Sequence, residues 1–295
     1  MKMDAAALSS QLVLGLSRGM LYFIVAAGLT LVFGVLRIIN FAHGSFYMLG
    51  AFLSFSVAEM VGKQNPAGFW LALLVAPLIV AALSIVIERG LMRFVYGQEH
   101  LIQVLLTYAL VLIFGDLVKM IWGTEFKSVS VPSIFIGNLS LAGIVIPIYY
   151  VFLLIVGPLV ALGLWMFLHH TVTGKICRAT ATDRQMVDVL GINSTRVFGT
   201  VFALGGWLAG LGGALMAPMV NIGMGMDTSM IVYAFLVVVV GGLGNIWGTL
   251  ISALILGVAE ALGVLFVPDL AIVVPYVVIG ILLIIRPSGL LKSVW

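Results

Sequence analysis

The stretch TSMIVYAFLVVVVGGLGNIWGTLISALILGVA, residues 228–259, carries no charged side chain along its whole length. A bilayer-spanning helix needs roughly 20 mostly apolar residues. This run is too long for one crossing, so it holds either two crossings or a broken one. Gly241, Gly242 and Gly244 stand beside Asn245, after four consecutive valines. Glycine frees the backbone to bend and lets another helix come close, and Asn245 offers a hydrogen bond to a freed backbone group. Every backbone polar group in lipid needs a partner. The glycine cluster is therefore either a turn at the membrane surface or a break surrounded by protein or water.

The same pattern extends through the chain. Residues 67–87, 145–168 and 197–226 are also uncharged. Of 295 residues, 63% are hydrophobic and 8% are charged, against about a quarter charged in a soluble domain. So few charges do not cover a water-facing surface. Barrel strands alternate apolar and polar side chains over about 10 residues, whereas these runs are continuously apolar. The reading is an all-α, polytopic membrane protein forming one transmembrane domain over 1–295. Segments 12–36, 44–62, 67–87, 101–122, 145–168, 198–219, 229–241, 246–266 and 271–285 read as spans. The seventh and ninth are short. This gives about eight crossings plus a broken or re-entrant piece at 229–241. The first segment reads as a retained helix rather than a cleaved signal. Cys177 is the one cysteine, so no intrachain disulfide can form.

Lys and Arg in short loops stay cytoplasmic. Placing the connector 169–197 inside puts Arg37, Arg89, Arg93, Lys175, Arg178, Arg184, Arg196, Arg286 and Lys292 on that side. Lys2, Lys63, Lys119 and Lys127 fall outside, and Arg18 lies within the first span. Nine against four places the N-terminus outside and the C-terminus inside. The longest external loop, 123–144, is β-branched, carries Pro132 and reads as extended chain.

Familiar chemical signatures are missing. A P-loop requires Gly, four residues, then Gly-Lys. Gly-Lys occurs at 62–63 and 174–175, with Val57 and His169 where the first Gly belongs. No HExxH, cysteine pair or GxSxG elbow occurs. No catalytic residue, metal site or cofactor is assigned, and the net charge of +3 does not point to nucleic acid. Glu260 and Asp116 lie within spans, where an acid needs protein or water around it. Each reads as paired or interfacial, with a proton relay as the alternative.

Two polar clusters remain. In RIINFAHGSFYMLG, 37–50, Arg37 reads as an anchor snorkelling to headgroups. Asn40 and His43 either cap the helices meeting there or face a translocation path together with Tyr47; Asn245 joins them as a candidate path residue. Broken helices often line transport sites. In RATATDRQMVDVLGINSTRV, 178–197, Thr182 and Gln185 match a capping box. Met186, Val189 and Leu190 form one apolar stripe, Arg184 and Asp188 are spaced to pair, and Gly191 suits a C′ position. The result is a short amphipathic helix that either rests on lipid or docks into a groove of a soluble partner. Small-residue pairs in 203–218, Gly206 with Gly210 and Gly213 with Ala217, read as helix-packing faces.

An Ala-rich cytoplasmic helix ending in Gly-Ile resembles the coupling loop of ABC importer permeases. Its acidic position would be Asp183 or Asp188 and its glycine Gly191, although the usual Glu-Ala-Ala is missing. GLTLVFGVLRIINFAHGSFYMLGAF, 28–52, and VVVVGGLGNIWGTLISALILG, 237–257, are more specific. In that order they resemble the LivH-type permease subunit of branched-chain amino-acid ABC importers. The resemblance implies a multi-pass subunit of a bacterial inner membrane that is not itself an enzyme. It implies a second, LivM-like permease, two cytoplasmic ATP-binding subunits and a periplasmic solute-binding protein. Asp183, Met186, Asp188, Val189, Leu190 and Gly191 then form the ATPase-coupling segment within 169–197. The cargo would be a small amino acid of branched-chain type or a related amide or carboxylate. The alternative is a self-sufficient channel or proton-coupled secondary transporter for a small solute.

Overall fold

The computed structural model describes residues 5–62, 65–141 and 144–291. Lys2, Lys63 and Lys292, counted in the charge argument, lie outside them. Helices α1 (Ala5–Leu36), α2 (Ala42–Val61), α3 (Pro66–Gly90) and α4 (His100–Trp122) come first. A hairpin of β1 (Asn138–Leu141) and β2 (Ile144–Pro147) leads into α5 (Ile148–His170). Two short helices follow, α6 (Val172–Thr182) and α7 (Arg184–Val189), and then α8 (Ser194–Met216). The chain ends with α9 (Met226–Gly241), α10 (Ile246–Phe266) and α11 (Val274–Ile285).

Seven of these helices are long and apolar enough to cross a membrane: α1 to α5, α8 and α10. The two segments expected to be short are α9, with 16 residues, and α11, with 12. At 1.5 Å per residue, α11 spans about 18 Å, well under the roughly 30 Å of a hydrocarbon core. The polytopic helical architecture thus matches the sequence reading. The loop read as external is extended, as its composition indicates, and pairs antiparallel from Asn138↔Pro147 to Leu141↔Ile144. Its second strand takes the first residues of the segment read as a span from 145.

The interior is organised around α1. From Met20 to Val35 this helix is buried almost continuously, and it packs against α10, α8, α5 and α9. Small residues allow the approach: a side chain added at Gly257 would meet the backbone of Gly15 and Gly19. On α8, Gly206 faces Ser84 of α3, Gly210 faces Pro77 and Val80, and Gly213 lies on the backbone of Tyr47 and Ala51 in α2. These stripes serve packing within the chain. Membranes favour such contacts because backbones gain dispersion by close approach where no hydrophobic force separates helix from lipid. Leu74, Leu78 and Val86 of α3, Leu105 and Leu112 of α4 and Ile155 and Leu159 of α5 are exposed, forming the apolar belt a membrane protein presents to lipid. Asp116 is exposed on α4, so the cover expected for it is not supplied by this chain.

Candidate functional site

Helix α1 ends at Leu36, and Arg37 takes a left-handed backbone, φ +57. Four residues without helical structure follow, and α2 restarts inside the protein: Asn40, His43, Ser45 and Tyr47 are all buried. The break read from the sequence is therefore present, but its polar residues do not cap it. Phe41 holds the N-cap position of α2 and makes no side-chain capping bond. Nε2 of His43 instead donates to the carbonyl of Val25 on α1, 2.8 Å away. This bond ties the second helix to the middle of the first and leaves Nδ1 as an acceptor. Among the described residues, nothing partners that Nδ1, either amide atom of Asn40, or Oγ of Ser45. Buried polar atoms in folded proteins are nearly always satisfied. Four such unpartnered atoms gather at this one helix break. Tyr47 lies one turn further along α2, buried where α8 crosses it.

The second signature folds as a tight turn. Gly242 and Gly244 adopt φ +100 and +86, which an L side chain would resist. Oδ1 of Asn245 accepts from the backbone N–H of Gly248 at 2.9 Å, capping α10. The backbones of Gly241 and Gly248 are in direct contact. The chain's last described residues cover this turn, with Leu290 N–H donating to Val240 O at 2.7 Å. Thr249, one turn into α10, shares a 2.8 Å hydroxyl contact with Thr30 of α1.

The connector 169–197 forms two helices where the sequence indicated one. Thr171 caps α6 by accepting from Gly174 N–H, and α6 buries Gly174, Cys177, Thr180 and Ala181. The capping box at Thr182 and Gln185 does not form. Thr182 Oγ1 donates back to Arg178 O, and Asp183 takes the cap, accepting from Met186 N–H at 3.0 Å. An aspartate one residue later is an equal or better cap than Thr, and it wins here because Thr182 still belongs to the preceding helix. Gly191, φ +80, ends α7 as expected. Its N–H bonds Asp188 O, and the N–H of Ile192 bonds Val187 O. This is the Schellman pattern.

Asp188 then fixes α7 onto α8. Its carboxylate accepts from Ser194 N–H and Ser194 Oγ, both at 3.1 Å, and lies 3.7 Å from Arg184 Nε. These bonds from Ser194 hold its carboxyl below the usual carboxylate range, with the Arg184 charge adding to the effect. Arg184 also donates to Ser194 Oγ and lies over the Phe198 ring. The anticipated Arg184–Asp188 pair is thus one edge of a small network. Met186, Val189 and Leu190 point away from all of it and are exposed, while Val187 between them is buried.

One contact joins the two clusters. Arg37, at the break, donates from Nη2 to the carbonyl of Ala181 at 3.2 Å, next to the α6–α7 junction. A cavity of about 280 Å³ lined by residues including Arg37, Thr182, Asp183 and Arg184 lies beside it. Arg37, read as a lipid anchor, is exposed and also bonds across to the end of α6. Arg89, Arg93 and Arg196 line a further cavity at this end of the bundle. The sequence showed Arg37 as a lone charge beside an apolar run, but nothing in it named α6 as the partner.

Comparison with known proteins accords with this architecture. A family model described as the branched-chain amino acid transport system permease component matches residues 11–286. The chain is 33% identical over 294 residues to the high-affinity branched-chain amino acid transport system permease protein BraD of Pseudomonas aeruginosa, covering 95% of this chain and 94% of that one. It is 32% identical over 292 residues to the corresponding permease protein LivH of Escherichia coli K12, covering 94% and 93%. A shorter likeness, 34% over 106 residues, links it to the ribose import permease protein RbsC of the same organism. No solved structure matches. With nearly its whole length matched, the chain belongs to the family of branched-chain amino acid transport system permease components.

Proposed function

We propose that this chain is the membrane half of an ATP-driven importer for a small amino acid of branched-chain type. It works beside a second permease, with two cytoplasmic ATP-binding subunits and a periplasmic solute-binding protein, in a bacterial inner membrane. The observation that carries this reading is the construction of α7. Three apolar side chains are held outward, Met186 and Val189 on a six-residue helix and Leu190 at its C-cap, and the helix is rigidly locked to α8 through Asp188 and Ser194. An isolated helix this short is unstable in water, so its order comes from those bonds. A rigid apolar knob suits insertion into a groove of another protein. The concentration of arginines at this end supports a cytoplasmic location.

In this account the chain performs no covalent chemistry. ATP binding closes the partner subunits and displaces α7. The movement passes to α8 through Asp188–Ser194 and to the α1–α2 break through Ala181 and Arg37. The partner shifts the equilibrium between outward and inward access only through its different affinity for the two states. Asn40, His43, Ser45 and Tyr47 at the break form part of the path, with the orphaned polar atoms of Asn40, His43 and Ser45 offered to the cargo or its water. Glu260 is already paired with Arg18, which removes the motive for the proton-driven alternative.

Reconstitution tests the proposal. Vesicles holding the chain with its second permease and ATPases are expected to accumulate leucine when supplied with ATP and loaded binding protein. Vesicles holding the chain alone are expected to accumulate none. ATP-independent flux through the chain alone would overturn it.

A further inference from the structure

Arg18 and Glu260 are opposite charges on two helices that cross the membrane, α1 and α10. Glu260 is six residues short of Phe266 at the end of α10, about 9 Å along the axis. Arg18 Nη1 donates to Glu260 Oε1 at 3.2 Å, and Tyr22 OH donates to Oε2 at 2.5 Å. Three tyrosines continue from there as a ladder. Tyr22 stacks on Tyr233 of α9 at 5.2 Å between ring centroids and 27°, and Tyr233 on Tyr276 of α11 at 5.9 Å and 23°.

The pair is not closed off. The side chains of Arg18 and Glu260 are 36% and 20% exposed, and Tyr276 is exposed as well. Charges at membrane depth are costly against lipid and face protein or a water-filled cavity. The pair also neutralises itself, so a protein surface laid over it gains no ion pair. A small molecule carrying both charges gains one by exchanging the internal pair for two external ones.

We infer that Arg18, Glu260 and the Tyr22–Tyr233–Tyr276 ladder form a station for the zwitterionic head of an amino-acid cargo. The inference rests on the amino-acid importer reading and adds a place and a recognition chemistry to it. The guanidinium fork takes the α-carboxylate, a geometry in which Arg excels. Glu260 takes the α-ammonium, and the exposed ring of Tyr276, at the outer end of the ladder, covers the apolar side chain. Before and after binding the site has zero net charge, so loading adds no uncompensated charge at membrane depth. An acid lacking the ammonium, or an amine lacking the carboxylate, leaves one unit of charge there and is rejected.

The test uses the assembled transporter in nanodiscs without binding protein, with radiolabelled leucine as the probe. Unlabelled leucine, isoamylamine and 4-methylpentanoate serve as competitors. Leucine is expected to bind, and each analogue to compete at least about tenfold less well, the factor carried by one charge-assisted hydrogen bond. Arg18→Gln with Glu260→Gln keeps a neutral, hydrogen-bonding pair. The double variant is expected to bind leucine about tenfold or more weakly. Its subunits still co-purify, and the cargo moved per ATP falls. A purely structural pair would survive this neutral replacement with binding intact. Equal competition by the analogues, absent leucine binding in the wild type, or unchanged binding in the double variant overturns the station. Loss of the second permease from the double variant also overturns it, because the face is then a seam between subunits. If the assembled wild type takes up no leucine even with binding protein and ATP, the importer reading itself has failed.

Discussion

Replacing Met186 and Leu190 with Ser removes the outward apolar edge of α7 without touching the bundle. Their exposures are 56% and 70%, together somewhat more than one whole side chain available for burial on a partner. Fully burying such a side chain is worth about 1.5–3 kcal/mol, so the double change removes about 2–4 kcal/mol from each docking contact. At about 1.4 kcal/mol per tenfold, affinity for the ATP-binding subunit falls about 30-fold to 700-fold. Binding of purified ATPase to the nanodisc-embedded permease pair, followed by light scattering or interferometry, reads this directly. Thermal unfolding of the permease should stay within about 0.5 kcal/mol of wild type, as for other exposed substitutions. Val187→Ser is the control. This side chain is 4% exposed, so its loss loosens the chain itself before it alters docking. Unchanged ATPase affinity in the double variant would refute the docking argument and leave α7 as a helix resting on lipid.

Three other outcomes follow from the geometry. Asp188→Ala should free α7 from α8 and raise proteolysis of the 184–194 segment. In wild type the contribution of this lowered carboxyl is fully present above the ordinary aspartate range and lost as pH falls through its lowered value, so protection should be flat near neutrality and decline only in acid. Gly248→Ala places a methyl group on the carbonyl of Gly241; overpacking costs about 1–3 kcal/mol, and the yield of folded, detergent-stable protein should fall. Cys177 is buried on the inner face of α6, and burial pushes its thiol up to about 11. Maleimide labelling should therefore be slow at rest, rise about tenfold per pH unit, and accelerate during ATP turnover if α6 moves.

Much of the fold was legible because lipid imposes a simple rule: long uncharged runs must be helices. The break after Arg37 was visible as a cluster of polar residues in apolar chain, and the 241–245 turn as glycines beside Asn245. What the sequence left open was partnership across helices. His43 has the composition of a cap, yet its partner is Val25 eighteen residues earlier, a choice made by how α2 folds back. Thr182 fitted a capping box until α6, unseen in the pattern, claimed it as its last residue. Arg18 and Glu260 were each visible as odd charges within spans, and their opposite signs were the signal that they meet. Only the packing of α1 on α10 brings them to 3.2 Å.

The central claim is that a partner's movement enters at α7 and reaches the helix break through Arg37. Arg37→Asn cuts the bond to Ala181 while keeping a residue type that tolerates the left-handed backbone there. The decisive measurement is leucine taken up per ATP hydrolysed by the reconstituted assembly carrying this variant. The account predicts near-normal hydrolysis with uptake reduced about tenfold, the scale of one hydrogen bond from a charged donor. An unchanged ratio of uptake to hydrolysis would contradict it.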